Sequence, residues 1–305
     1  MRGTVEWQTI EVFKELNEIG NSKHEAKNEA RAEGAHGSAG IARETGIYSY
    51  RTLDSYRESV VKFANWAKEN LGLKDLTKTA PEQVKAYLNS RIAENVAHKT
   101  FQLEKAALNK FETALNKYAE AHNLLNKTYD FKLNETFKNE HKDLKHADVR
   151  AYSAKNLGML LSNIKNPAVN LAVRCALSAG LRKSEILKLS EKNLQGNKLE
   201  ITGKGGKTRI VSQIHDKNLI SDVRAFLREN NIQKIGDAVS GSKINNEIRA
   251  VLGDKGAVHN LRHNYVIDTI KTFEKQGFYK VESVHYSSLE VGHNRNEIIT
   301  GVYSK

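Results

Sequence analysis

Apolar residues recur at helical spacing through most of this 305-residue chain, and one short stretch has a different pattern. From residue 48 onward, Leu53, Val60 and Phe63 belong to a run with apolar steps of three and four residues, which is typical of an amphipathic helix. Residues 197–214 differ, because two alternating β-branched runs, NKLEIT and TRIVSQI, flank the sequence GKGGK. This pattern predicts a hairpin with a glycine-rich turn. We therefore expect a mainly α protein with a small antiparallel β-sheet, in the α+β class.

Changes in sequence texture divide the chain into three parts. Residues 1–45 hold one helix-like segment and a polar, glycine-containing connector that is predicted to be mobile or marginally helical. Residues 46–140 carry three lysine-rich amphipathic helices, and the second is predicted to start with Thr79 as its N-cap and Pro81 in its first turn. A polar linker follows, and residues 150–305 are predicted to be mostly helical around the hairpin.

The formal net charge of +12 indicates a polyanionic partner. A charge excess of this kind attracts nucleic acid first and an anionic membrane surface second, although a merely solvated lysine-rich surface is the alternative. No run approaches the roughly 18 apolar residues of a membrane span, and the first twenty residues lack a signal-peptide core. Cys175 is the only cysteine, which excludes an intramolecular disulfide and a cysteine-rich metal site. The sequence predicts an intracellular protein.

In the stretch SAGLRKSEI, an arginine stands at a predicted helix start. Arg182 follows Gly180 and opens a short helix whose first backbone N–H groups can also face an anion. A guanidinium is planar and permanently charged, so it can hold a phosphate through two hydrogen bonds. Taken by itself, this stretch is better explained by a surface arginine.

The stretch HNLRHNYV places two histidines and an arginine on a predicted helix. His259 and Arg262 are three residues apart and share one face. His259 and His263 also have the spacing of two zinc ligands, but a zinc protease has glutamate after the first histidine, and Asn260 stands there instead. No cysteine lies nearby, so we expect no metal at this site.

Two further stretches offer a lysine and a tyrosine. ITGKGGKTRIV ends like a nucleotide-binding loop, but that motif requires glycine where Ile201 stands and a helix where a strand is predicted. We therefore interpret Lys204, at the hairpin tip, as a candidate mobile cationic acid. In VGHNRNEIITGVY, His293 precedes Tyr303. Tyrosine has an ordinary pKa of about 10, and it becomes a useful nucleophile where cations stabilise the charge that develops.

Taken in order, these stretches resemble the motifs of the tyrosine recombinase (phage integrase) family. The family patterns are A-G-x-R-x-x-E-I, a hairpin lysine, H-x-x-R and L-G-H followed by tyrosine, and they match AGLRKSEI, GKGGKTR, HNLRH and VGHNRNEIITGVY. The resemblance covers roughly residues 45–305. It implies that residues 46–140 are a helical core-binding (SAM-like) DNA-binding domain and that residues 150–305 are a catalytic domain.

The resemblance implies strand exchange on DNA without metal, ATP or any other cofactor. Tyr303 would attack a DNA phosphate and form a 3′-phosphotyrosyl link. Arg182 and Arg262 would bind the non-bridging oxygens, and His293 would donate a further hydrogen bond. Lys204 would protonate the departing 5′ oxygen, and His259 would assist proton transfer at the tyrosine. Glu185 would brace the first arginine. The implied partners are double-stranded DNA and three further copies of the chain in a tetramer, and the implied location is the cytoplasm, in association with the nucleoid.

The tyrosine-bearing motif departs from the family in two respects. The step from His293 to Tyr303 is one residue longer than the commonest spacing, and only Ser304 and Lys305 follow, where members usually continue into a segment that docks on a neighbouring protomer. Two other functions stay open, a type IB topoisomerase and a catalytically idle DNA-binding protein of the same fold. The separate core-binding domain favours the recombinase over the first, and the full set of six candidate positions argues against the second.

Overall fold

The computed structural model describes residues 1–124, 127–139, 141–146, 150–203, 206–253 and 256–293. The chain forms two compact units, residues 1–147 and 148–305. The first is helical, and the second is helical with one small antiparallel sheet, so the predicted fold class is confirmed. None of the helices in these ranges combines the length and the apolar character that a membrane span requires.

The helices of the first unit surround an aromatic core. Phe13, Phe63 and Phe111 are fully buried there, with the ring centroids of Phe63 and Phe111 6.2 Å apart. The helices are α1 (Val5–Lys14), α2 (Lys23–Ala32), α3 (Gly37–Glu44), α4 (Tyr50–Leu71), α5 (Pro81–Ala93), α6 (His98–Ala121) and α7 (Leu133–Thr136).

The amphipathic pattern around residues 50–71 is confirmed as helix α4. The Ser49 side chain caps its start by accepting a hydrogen bond from the backbone N–H of Thr52. The helix ends at Gly72, as predicted, because this residue adopts the left-handed conformation with φ of 66°.

The predicted cap of helix α5 was wrong by one residue. Ala80, not Thr79, is the N-cap, and the Gln83 side chain accepts its backbone N–H at 3.0 Å. The Thr79 hydroxyl is already used, since it donates to the carbonyl of Leu76 at 2.8 Å and so closes the preceding turn. Pro81 occupies the first helical position, as predicted.

The segment predicted to be a mobile or marginally helical connector contains helices α2 and α3. Lys110 on α6 contacts the end of α3 by donating from Nζ to the carbonyls of Ala42 and Thr45. Cations at a helix C-terminus satisfy carbonyls that have no partner within the helix. Burial lowers the pKa of Lys110 to about 8.

The second unit is built around helix α9 (Pro167–Ala179), which is buried on most of its surface. It packs against α10 (Lys183–Ile186), α11 (Leu219–Glu229), α12 (Gly241–Leu252) and α13 (Val258–Lys275). The other elements are α8 (Ala154–Asn163), β1 (Leu194–Gln195), β2 (Lys198–Thr202), β3 (Thr208–Val211) and α14 (Lys280–Glu290).

The hairpin predicted from alternating residues is confirmed as strands β2 and β3. They pair antiparallel with Leu199 opposite Val211 and Ile201 opposite Arg209. A two-residue strand, β1, extends the sheet beside β2 and was not predicted from the sequence. Gly203, which follows β2, lies beside Glu185 of α10 and beside the Arg182 side chain.

Glycine is required at residue 180, where helix α9 ends. Gly180 has φ of 61°, a conformation that side chains rarely adopt. A Cβ atom there would also lie 2.3 Å from Cδ1 of the Tyr265 ring, which is fully buried. The chain can therefore turn against α13 and place Arg182 two residues later.

Candidate active site

Arg182 stands at the N-cap position of helix α10 and is held there by Glu185. The Glu185 carboxylate accepts the backbone N–H of Arg182 at 2.8 Å and its Nη1 at 2.7 Å. The Arg182 side chain remains 25% exposed, whereas that of Glu185 is 2% exposed. Arg182 therefore combines a fixed direction with access to a ligand. The role of Glu185 as a brace stays a prediction, made at a residue that contacts Arg182 twice.

Glu185 is surrounded by three arginines. Besides Arg182, Arg209 donates from Nη1 to Oε1 at 2.9 Å and from Nη2 to Oε2 at 2.8 Å. Arg262 brings its Nη1 to 3.9 Å from Oε2. Burial raises the pKa of Glu185, but the hydrogen bonds and charge of Arg209 and the contacts with Arg182 outweigh it and hold the pKa at about 2. One carboxylate among three guanidinium groups leaves a net positive charge that suits an anion.

Arg262 joins two segments of the site from inside the protein. It lies on helix α13 and is fully buried. Its Nη1 donates to the carbonyl of Gly180, and its Nη2 donates to the carbonyl of Val291. These carbonyls come two residues before Arg182 and two residues before His293. Arg262 thus fixes the backbone leading into both residues.

His293 follows helix α14 and is half-buried beside the arginines. Its backbone N–H donates to the carbonyl of Ser288 at 2.8 Å, and Gly292 before it has φ of 64°. Burial and then the charges of Arg262, Arg182, His259 and Arg209 lower the pKa of His293 to about 4. The imidazole is therefore neutral near pH 7 and keeps one N–H to donate.

His259 lies in the first turn of helix α13 and is exposed. It stands three residues before Arg262, on the same side of the helix, as the sequence spacing predicted. Its ring lies edge-on to the His263 ring at a centroid distance of 5.4 Å. Across the described ranges, no three histidine, cysteine or carboxylate side chains are grouped so that they could hold a metal ion.

The candidate acid and the candidate nucleophile, Lys204 and Tyr303, lie outside the described residues. The start of the turn that contains Lys204 is described, and the N–H of Gly203 donates to the carbonyl of Lys207 at 2.8 Å. A Cβ atom on Gly203 would lie 3.2 Å from Oε1 of Glu185 and 3.6 Å from Nη1 of Arg182. The hairpin turn thus begins beside the arginine cluster.

Sequence reasoning missed Arg209, the third arginine of the cluster. Its side chain is only 10% exposed, and its Nε also donates to the carbonyl of Glu290 at 2.8 Å. The available signal was strand alternation, because Arg209 shares a strand face with Val211, which is buried, while Ile210 between them is exposed. A charged residue on the inward face of a strand requires a partner.

The first unit and the whole chain both have known counterparts. Residues 41–117 match the family model for the phage integrase N-terminal SAM-like domain. A search of curated proteins found no match. Among solved structures, the chain is similar to the XerH site-specific recombinase bound to difH substrate in a pre-cleavage complex, with 18% identity, a TM-score of 0.63, and coverage of 98% of this chain and 91% of that chain.

Two further structures share this architecture. A lambda integrase tetramer bound to a Holliday junction has 16% identity, a TM-score of 0.56, and coverage of 92% of this chain and 77% of that chain. The Tn1549 transposon integrase in complex with transposon right-end DNA has 12% identity, a TM-score of 0.52, and coverage of 92% and 93%. The resemblance predicted from the motifs is confirmed, and the chain has the fold of these proteins.

Proposed function

We propose that this protein, which has the tyrosine recombinase fold, is a site-specific DNA recombinase that cleaves and rejoins DNA through a 3′-phosphotyrosyl intermediate. The observation that carries the proposal is that Arg182 and Arg262 meet at the buried carboxylate of Glu185, with His293 in the field of both arginines. Integration, excision and resolution of DNA segments all use this chemistry.

The cationic cluster suits a phosphodiester in its transition state. Arg182 is exposed enough to reach a non-bridging oxygen, and Arg262 adds a second guanidinium at the same centre. His293, neutral at pH 7, adds a hydrogen bond without adding charge. Preorganised donors of this kind each contribute about 3 kcal/mol when they face developing charge, which corresponds to roughly 100-fold in rate.

The bond changes are assigned to Tyr303, Lys204 and His259 on the strength of their motifs, and the first two lie outside the described residues. The Tyr303 oxygen attacks phosphorus, and the bond from phosphorus to the 5′ oxygen breaks. Lys204 gives a proton to that leaving oxygen, and His259 assists removal of the tyrosine proton. In the second half, a 5′-hydroxyl attacks the phosphotyrosine and Tyr303 regains its proton. The covalent link conserves the bond energy, so the reaction needs neither ATP nor a metal or other cofactor.

The partner in this proposal is double-stranded DNA, bound by both units and by the net charge of +12. Within the chain, residues 46–140 serve as the core-binding domain, residues 150–305 as the catalytic domain, and residues 1–45 as a leading helix and connector. Strand exchange requires two paired sites, and a homotetramer supplies one active site to each of four strands. Such a protein works on the nucleoid in the cytoplasm.

Sequencing of DNA trapped covalently on the protein tests the proposal. A recombinase should trap DNA ends that converge on one pair of inverted half-sites, because two protomers bind each site. Covalent ends scattered without a shared sequence would favour the type IB topoisomerase. Absence of covalent DNA from the wild-type protein, with DNA binding intact, would favour the idle DNA-binding protein.

A further inference from the structure

Arg209 has no part in the reaction proposed above, although its guanidinium makes two hydrogen bonds with Glu185. It lies on strand β3, and its guanidinium donates to both Glu185 oxygens and to the carbonyl of Glu290. We propose that Arg209 is a positioning residue that joins the segment carrying Arg182 to the turn carrying His293. This inference rests on the proposed recombinase function and adds a residue to it.

The first link runs through Glu185. Its Oε1 accepts from Nη1 of Arg182 at 2.7 Å and from Nη1 of Arg209 at 2.9 Å, while Oε2 accepts from Nη2 of Arg209 at 2.8 Å. A two-point pair between a guanidinium and a carboxylate fixes the plane of the carboxylate. Arg209 thereby sets the orientation in which Glu185 holds Arg182. Without it, rotation of the carboxylate could bring it closer to Arg262, now 3.9 Å away.

The second link reaches the turn that carries His293. Glu290 is the last residue of helix α14, and Nε of Arg209 donates to its carbonyl at 2.8 Å. Gly292 lies against the same side chain, since a Cβ atom there would be 3.1 Å from Cδ of Arg209. The Glu290 carboxylate in turn accepts the N–H of Ser212, just after β3, at 2.9 Å. The end of β3 and the start of the His293 turn are therefore held together.

The contacts of Arg209 distinguish it from Arg182, the more exposed of the arginines proposed to hold phosphate. Its side chain is 10% exposed, against 25% for Arg182, and three of its nitrogens donate to protein oxygens. Lysine could keep the charge, but it lacks the planar fork that meets two carboxylate oxygens and a carbonyl at fixed angles. The geometry thus requires the shape of arginine in addition to its charge.

Arg209→Lys and Arg209→Gln test this role, with Arg228→Lys and Arg228→Gln as matched controls. Arg228 lies on α11 with its side chain 66% exposed and pairs with Glu191. The measured quantities are the single-turnover rate of covalent adduct formation on a nicked site, the DNA affinity and the melting temperature. We expect Arg209→Lys to slow adduct formation on the order of 100-fold, as misplaced catalytic groups do, with DNA affinity and folding retained. The control variants should match the wild type.

A double-mutant cycle separates positioning from general stabilisation. Glu185→Gln and Arg209→Gln disrupt the same link, so their combined effect on the adduct rate should be far smaller than the product of the single effects. Additive losses would overturn the inference. So would a wild-type adduct rate in Arg209→Lys, or a loss of DNA affinity in Arg209→Lys as large as the loss of rate, which would make Arg209 a phosphate contact.

A readout independent of activity keeps the inference testable if the wild type forms no adduct and the proposed function fails. The NMR titration of the His293 ring reports the second link, because Arg209 is one of the cations that lower the pKa of His293. Arg209→Gln should raise that pKa, and Arg228→Gln should leave it unchanged. An unchanged His293 titration in folded Arg209→Gln would refute the connection.

Discussion

Glu185 holds Arg182 twice, accepting its backbone N–H at 2.8 Å and its guanidinium at 2.7 Å. One carboxylate thus fixes both the start of helix α10 and the direction of the side chain proposed to meet the phosphate. Because Arg209 and Arg262 share the same carboxylate, the ionised state of Glu185 underlies the whole site.

Acid should therefore destabilise the protein through Glu185. Its folded-state pKa of about 2 lies below the ordinary value of 4.5, so the unfolded chain takes up the proton first as pH falls. The stabilisation is present above about pH 4.5 and is lost toward pH 2, and for a shift of this size it is on the order of 3 kcal/mol. Urea unfolding between pH 7 and pH 3 should show a shallower acid limb for Glu185→Gln than for the wild type. Glu229→Gln on the exposed end of α11 is the control, and an equal acid limb in all three proteins would contradict the assignment.

Arg182→Ala and Arg262→Ala should both abolish cleavage but differ in stability. Removing a transition-state donor costs roughly 100- to 1,000-fold in rate, and one phosphate contact among many contributes little to DNA affinity. Arg262 is fully buried, and its loss leaves the carbonyls of Gly180 and Val291 without donors, so this variant should also melt earlier. Arg182, 25% exposed, should melt like the wild type when replaced. A fall in gel-shift affinity as large as the fall in cleavage would rule out this division of roles.

His293 should stay neutral well below the ordinary range of histidine. Burial and the surrounding arginines place its pKa at about 4 in the free protein, against an ordinary value of 6.5. The ring signals of His293 should therefore be constant from pH 8 to pH 5 and shift only near pH 4. The urea-unfolded protein provides the control for an ordinary titration. A His293 midpoint near 6.5 in the folded protein would mean that the ring lies outside the field of the arginines.

Lys204, and not Lys207, should act as the general acid. Lys204 directly follows Gly203, which lies beside the arginine cluster, whereas Lys207 directly precedes strand β3, where the pleat fixes the direction of side chains. A substrate with sulfur in place of the bridging 5′ oxygen needs no proton for its leaving group. Lys204→Ala should be nearly inactive on ordinary DNA and largely rescued on the sulfur substrate, while Lys207→Ala should treat the two alike. Rescue of Lys207→Ala instead would transfer the role to that residue.

The sequence predicted those elements that are determined by neighbouring residues in the chain. Helix α4 and its end at Gly72 follow from apolar spacing and a glycine, and the hairpin follows from alternation on either side of GKGGK. The prediction that Thr79 caps helix α5 was wrong because the Thr79 hydroxyl already donates to the carbonyl of Leu76 and closes the preceding turn.

The site residue that the sequence did not reveal, Arg209, is placed by contacts that are distant in the sequence. Arg209 joins the site through Glu185, which is 24 residues earlier in the chain, and through Glu290, which is 81 residues later. The motif residues Arg182, Arg262 and His293 were predicted by their resemblance to a family, and the packing of α9, α13 and the hairpin brings them together. The positions of Lys204 and Tyr303, outside the described residues, stay predictions.

Covalent trapping on a nicked cognate site tests the central claim most directly. Because of the nick, cleavage releases a short fragment that carries the new 5′-hydroxyl, and this fragment diffuses away before it can rejoin. Attack by tyrosine therefore leaves a stable protein–DNA adduct that is visible on a denaturing gel. The wild type should form this adduct, and Tyr303→Phe should form none while binding DNA normally, because only the hydroxyl is lost. Tyr286→Phe, on helix α14, is the matched control and should form the adduct like the wild type. An adduct of undiminished yield from Tyr303→Phe would contradict the account.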